Sequence, residues 1–151
     1  MSSATRDDHW LLSRLDQLWS NHFPDVDQKN KVFIKFGRVA KYRFGSIRLD
    51  PKKDASLILI NGMFRDEKVP TEVVDHTIAH ELVHYTHGFS SPHKKQYSHP
   101  HKGGVIDKEM LTRGLGDLIQ SYKSWLKNYR KNLKPVARKR RVRRQIKIRW
   151  I

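Results

Sequence analysis

Residues His80-Glu81-Leu82-Val83-His84 combine two imidazoles and a carboxylate at a spacing suited to metal-assisted hydrolysis. On a helix, positions four apart lie about one turn from each other, ~40° apart around the axis, so both rings can converge on one ion. Glu81 points off that line, where it can hold and deprotonate a water instead of binding the metal. The chemistry this triplet supports is peptide-bond hydrolysis with Zn2+ as cofactor: His80 and His84 as ligands, Glu81 as general base.

A catalytic zinc takes three protein ligands and keeps a fourth position open. Seven of the nine histidines fall between residues 76 and 101, and within reach downstream the chain offers His99, His101 and Glu109 as the third ligand. The longer H-E-x-x-H-x-x-G-x-x-H pattern is excluded, because it would require Gly at 87 and His at 90 where the chain has His87 and Ser90. Glu109 sits in an apolar-periodic segment, where a solvent-facing role is the commoner one for a glutamate. His76, one turn before His80, reads as an exposed helix residue with a supporting role as the alternative; His87 and His93 read as solvated loop positions. Tyr97 and Tyr85 are candidates to stabilise an oxyanion, although Tyr85 falls on a packing face. Asp75 or Asp107 is placed to orient a ligand imidazole.

The elements that must position these groups follow from periodicity. Leu11, Leu12, Leu15, Leu18 and Trp19 mark an amphipathic helix over 7–22, stopped by Pro24. Short β-rich runs over 32–36, 42–49 and 57–60, separated by Gly37, Gly45 and Asp50-Pro51, predict an antiparallel or mixed sheet of about three strands. Pro70-Thr71-Glu72 opens the helix that carries the histidines, with Val74, Ile78, Leu82 and Tyr85 facing the sheet and Gly88 as its stop. A polar, His-rich connection leads to Gly103-Gly104, and a helical pattern over 105–133 is broken at Gly114 and Gly116, which splits it into two helices. The fold class expected is α+β, a zincin-like single domain.

Composition bounds the partners. A chain of 151 residues is the size of one domain, and with no cysteine it has neither disulfides nor a thiolate zinc site. Met1 to Asp8 has no apolar core of a signal peptide and no segment approaches the ~18 continuous apolar residues of a membrane span, so no membrane partner and a cytoplasmic location are expected. The formal charge of +16 is concentrated at one end: residues 123–151 hold 13 of the 31 Lys and Arg and no acid. The aromatics Tyr122, Trp125 and Tyr129 alternate with cations there, yet their spacing favours packing of one helix face. The run Arg138, Lys139, Arg140, Arg141, Arg143 and Arg144 cannot form a core-facing surface and is expected to bind nucleic-acid phosphates with little sequence preference.

Phe44-Gly45-Ser46-Ile47-Arg48-Leu49, Leu57-Ile58-Leu59-Ile60-Asn61, Val69-Pro70-Thr71-Glu72 and His80-Glu81-Leu82-Val83-His84 together resemble the SprT-like metalloprotease domain family, which includes the DNA–protein crosslink protease Spartan. The resemblance covers about residues 8–125, with 126–151 as a basic C-terminal extension. It implies an N-terminal helix and small sheet before the zinc helix, and a third histidine ligand in a His-Gly-like turn after a variable loop. Pro100-His101-Lys102-Gly103-Gly104-Val105 matches that turn, which makes His101 the third ligand and His99 its alternative. By this resemblance the chain would hydrolyse protein substrates, including nucleic-acid-associated or crosslinked ones, with a nucleoid or nucleic-acid-associated setting as the alternative to a purely cytoplasmic one. The competing expectation is a basic binding protein of nucleic acid or ribosomes whose zinc site is structural or vestigial.

Overall fold

The computed structural model describes residues 5–133. Helix α1 (Asp8–His22) starts where the Asp7 carboxylate accepts a hydrogen bond from the Trp10 amide at 2.8 Å. It buries Leu11, Leu15 and Leu18, each contributing about 1.5–3 kcal/mol by leaving water. Strands β1 (Lys31–Phe36), β2 (Gly45–Asp50) and β3 (Ala55–Ile60) form one mixed sheet in the order β1-β3-β2. β3 pairs parallel with β1 and antiparallel with β2, so among the described residues both β1 and β2 are edges.

The inner face of the sheet presents Ile34, Phe36, Ile47, Ile58 and Ile60 to α1 and to helix α2 (Thr71–Thr86). Helices α3 (Val105–Thr112) and α4 (Gly116–Asn132) then cover the other sides of α2. The architecture is therefore the expected α+β single domain, and the break at Gly114 to Gly116 does separate two helices. α4 runs through position 126 to Asn132, and Leu126 and Tyr129, from that position onward, still pack against the core. At the other end Arg6, before α1, is buried and donates to the carbonyls of Phe64 and Asp66, both at 3.0 Å.

Helix α2 departs from the expected amphipathic form. Every residue from Val73 to Thr86 is buried, because the sheet, α1, α3 and α4 enclose it from all sides. Asp75 accepts from Nε and Nη2 of Arg14 at 2.9 and 2.6 Å, so it orients no imidazole. The aromatics of α4 pack as their spacing suggested. Phe44 meets Trp125, Tyr129 and Tyr122 at 5.3, 5.6 and 6.3 Å between ring centroids, each edge to face. The basic run from Arg138 to Arg144 lies outside the described residues.

Candidate metal centre

His80 and His84 stand one turn apart on the middle of α2, with ring centroids 4.8 Å apart. The third imidazole arrives from the loop after that helix. His101 brings its Nε2 to 3.4 Å from Nε2 of His80 and 2.9 Å from Nε2 of His84. The ligand atoms of the three residues all lie within 4.8 Å of one another, close enough to hold a metal ion. His80 and His84 are buried, while His101 closes the set from the exposed side.

The loop can deliver His101 because its other end is fastened to the C-terminus of α2. Carbonyls that the helix leaves unpaired are taken up by loop donors: Phe89 N to His84 O at 2.9 Å, Gln96 N to His87 O at 2.9 Å and Ser91 Oγ to Tyr85 O at 2.7 Å. Gly88 makes the exit turn at φ +83, and a Cβ there would lie 2.5 Å from the Lys94 carbonyl oxygen, which only glycine avoids. After His101, Gly103 and Gly104 both take left-handed φ and swing the chain into α3.

The electrostatics suit neutral, lone-pair-bearing rings. Burial, reinforced by repulsion from the neighbouring imidazoles, holds His80 well below the ordinary histidine range and brings His84 down to about 3. Burial also lowers His101. Neutral imidazole is the form that binds metal. Glu81 is the opposite case. It is 0 % exposed, burial pushes its carboxyl well above the usual range, and among the described residues neither of its oxygens meets a hydrogen-bond partner. A buried carboxyl group without a partner costs about 1–3 kcal/mol or more and requires a reason.

Comparisons with protein-family models, with curated proteins and with solved structures find no match to this chain. The residues of the site must therefore speak for themselves. Of the three candidates for the third ligand, the structure brings His101 to the pair. His99 is exposed and outside the cluster. Glu109 is engaged elsewhere: one oxygen lies 3.0 Å from His87 Nε2 and the other accepts from Arg113 Nε at 2.8 Å.

Two histidine expectations are corrected by the same packing. His76 is buried, stacked on Tyr122 with ring centroids 4.0 Å apart, and burial lowers it to about 3. Its stacking partner comes from α4, 46 positions along the chain from His76, which helical periodicity cannot foresee. His87 is fully buried against Glu109 and the Tyr97 ring instead of lying in a solvated loop. The loop that returns after Gly88 covers it, Gln96 N donating to the His87 carbonyl at 2.9 Å. His93 is half-buried, its Nε2 2.6 Å from the carbonyl oxygen of Asp27. Tyr85 is core, donating to Asn30 Oδ1 at 2.7 Å, and Tyr97 is exposed beside His87. Asp107 is exposed.

Gly45 is a site residue whose role becomes apparent only in three dimensions. At the start of β2 it passes so close to α2 that a Cβ would stand 2.8 Å from Thr77 Cγ2 and 3.4 Å from Glu81 Oε1. Thr77 cannot turn aside without releasing the hydrogen bond from its hydroxyl to the Val73 carbonyl, 3.0 Å long. Gly45→Ala is therefore expected to destabilise the fold by about 1–3 kcal/mol through overpacking and to displace the Glu81 carboxylate. Urea unfolding measures the first effect; an unchanged midpoint would mean that β2 moves away from α2 at no cost.

Proposed function

We propose that the chain is a zinc-dependent metallopeptidase that hydrolyses peptide bonds, with His80, His84 and His101 as ligands and Glu81 as general base. The observation that carries this reading is Glu81: a fully buried carboxyl group, without a partner among the described residues, on the same helix as two of the three converging imidazoles. A structural metal site has no use for such a group, which disfavours the reading of a binding protein with a structural or vestigial site. The donor set supports zinc as the ion. Two nitrogens each about 2.05 Å from one tetrahedral zinc stand about 3.3 Å apart. Nε2 of His101 lies 3.4 and 2.9 Å from its two counterparts. Three imidazoles without a thiolate also match catalytic zinc chemistry.

When bound, zinc supplies Lewis-acid polarisation of a water and of the scissile carbonyl. The protein supplies the proton traffic. Glu81 accepts a hydrogen bond from the water, takes its proton as the oxygen attacks the carbonyl carbon, and returns that proton to the departing amine. Its burial raises its carboxyl and makes it a stronger base than an exposed glutamate, a rise that a metal cation held by the three imidazoles would oppose. The imidazoles stay neutral and act only as ligands.

The substrate reading extends to proteins bound or crosslinked to nucleic acid, with the basic run Arg138 to Arg144 supplying proximity; this rests on the sequence and the family resemblance. No helix among the described residues is long and apolar enough to cross a membrane. The test is metal removal. The purified full chain should carry about one zinc per molecule, lose casein and histone cleavage on chelation, regain it with zinc alone, and melt at higher temperature with the metal than without. Cleavage that persists in metal-stripped protein would refute the proposal. Single-stranded DNA added to the histone reaction should accelerate it at low salt and cease to do so as salt rises.

A further inference from the structure

The outer face of the sheet has no part in the metal centre and no described helix against it. Strand alternation places Lys31, Phe33 and Lys35 of β1 on this face, with Leu57 and Leu59 of β3 and Arg48 of β2. The register makes one rung of Phe33, Leu57 and Arg48. Along β1 a cation stands about 7 Å to either side of Phe33. Phe33 is 53 % exposed, an unusual position for a phenylalanine on a strand. Around it lies a shallow depression of about 790 Å³ whose lining includes Phe33, Lys35, Arg48, Lys53 and Leu57.

The charges on this face are unbalanced and available. Among the described residues none of Lys31, Lys35, Arg48 and Lys53 forms an ion pair; the salt bridges lie elsewhere. The two carboxylates at the rim are committed to backbone amides. Asp8 accepts from Phe36 N at 2.9 Å, and Asp50 accepts from Lys52 N and Lys53 N at 3.1 and 3.4 Å. An exposed aromatic on an open sheet, apolar strands beside it and unpaired cations on the perimeter form a platform on which a base can stack while its flanking phosphates are neutralised.

We propose that this outer sheet face binds single-stranded nucleic acid, with Phe33 as the stacking residue and Lys35 and Arg48 as phosphate contacts. Charge complementarity selects the occupant. Residues 134–151 hold nine Lys and Arg and no acid, so by composition they offer this face no complementary charge, and a second copy would set cation against cation. A duplex keeps its bases stacked inside and offers Phe33 nothing to stack on. The site is independent of catalysis: it would hold a strand whether or not the metal centre hydrolyses peptides.

The test uses the full chain and a short oligothymidine, with a duplex of equal length for comparison. Ultraviolet crosslinking followed by peptide mapping should place thymine on the peptide that contains Phe33. Phe33→Ala should weaken oligothymidine binding about tenfold, with duplex binding changed less than twofold and the thermal midpoint unaltered, and Phe33→Trp should restore it. Lys35→Ala and Arg48→Ala should each lower the slope of log affinity against log salt by about 0.7. Three results would overturn the proposal: crosslinks confined to residues 134–151 with Phe33→Ala binding as the parent does; a Phe33-dependent dimer in sedimentation; or displacement of the oligothymidine unaffected by all three alanine substitutions.

Discussion

Glu81→Gln should retain zinc at the parent's stoichiometry and lose peptide cleavage by about 10²- to 10⁴-fold, the usual contribution of a positioned general base. The amide has nearly the carboxylate's shape, so the packing around Gly45 and Thr77 is preserved, yet it cannot accept a proton. The loss should therefore appear in kcat with little change in KM. A second readout separates this from mere structural damage. In the metal-free protein burial raises the Glu81 carboxyl well above its value in the unfolded chain. The folded state then keeps a proton that the unfolded state releases, so this contribution to stability is fully present below about pH 4.5 and is lost as pH rises toward the folded pKa. The buried histidines act in the other direction, losing stability as pH falls below their ordinary value of 6.5, but they are common to both proteins. Metal-free Glu81→Gln should consequently gain stability relative to the parent by about 1.4 kcal/mol per pH unit from pH 4.5 up to the raised folded pKa, and no further beyond it. Cleavage at the parent's rate would remove Glu81 from the mechanism. Equal pH dependence of the two unfolding free energies would show that the carboxyl group is hydrated in the folded protein.

The local part of this site was legible in the sequence because it depends on short-range periodicity. Four residues of separation place His80 and His84 on one side of a helix whatever surrounds it. The strands, the Gly88 stop and the division of the last helical segment at Gly114 carry equally local signals, and the structure has each of them. What periodicity could not supply is the environment of α2. Its residues look amphipathic only if one side is left to solvent. Once α1, α3, α4 and the sheet all pack on it, His76 needs Tyr122 beneath its ring and His87 needs Glu109. Glu109 illustrates the difference well. As a residue type at a plausible distance it was a candidate ligand, but its two oxygens are spent on His87 and Arg113, and Arg113 in turn holds Asp25 at 2.7 Å. The choice among His99, His101 and Glu109 is one of tertiary competition.

That choice sets the second large effect. His101→Ala should reduce zinc affinity by more than about 100-fold, because even partners outside the coordination sphere contribute about 10- to 100-fold and His101 supplies a donor directly. With two imidazoles left, a dialysed sample should contain little zinc and should not cleave casein. His99→Ala should leave both metal content and cleavage at the parent's level, since His99 is exposed and outside the cluster. Glu109→Ala provides the third arm. It should keep zinc but unfold more easily by about 1–3 kcal/mol, because fully buried His87 loses its hydrogen-bond partner and Arg113 loses one of its carboxylates. Metal analysis and urea unfolding on the three variants thus distinguish a ligand from a bystander and from a structural brace. Zinc retained in His101→Ala and lost in Glu109→Ala would mean that α3 rotates to present its glutamate when the ion binds. Zinc retained in all three would leave the helix pair as the whole site, and the loop from Phe89 to His101 would then be serving to cover the C-terminus of α2 and bury His87.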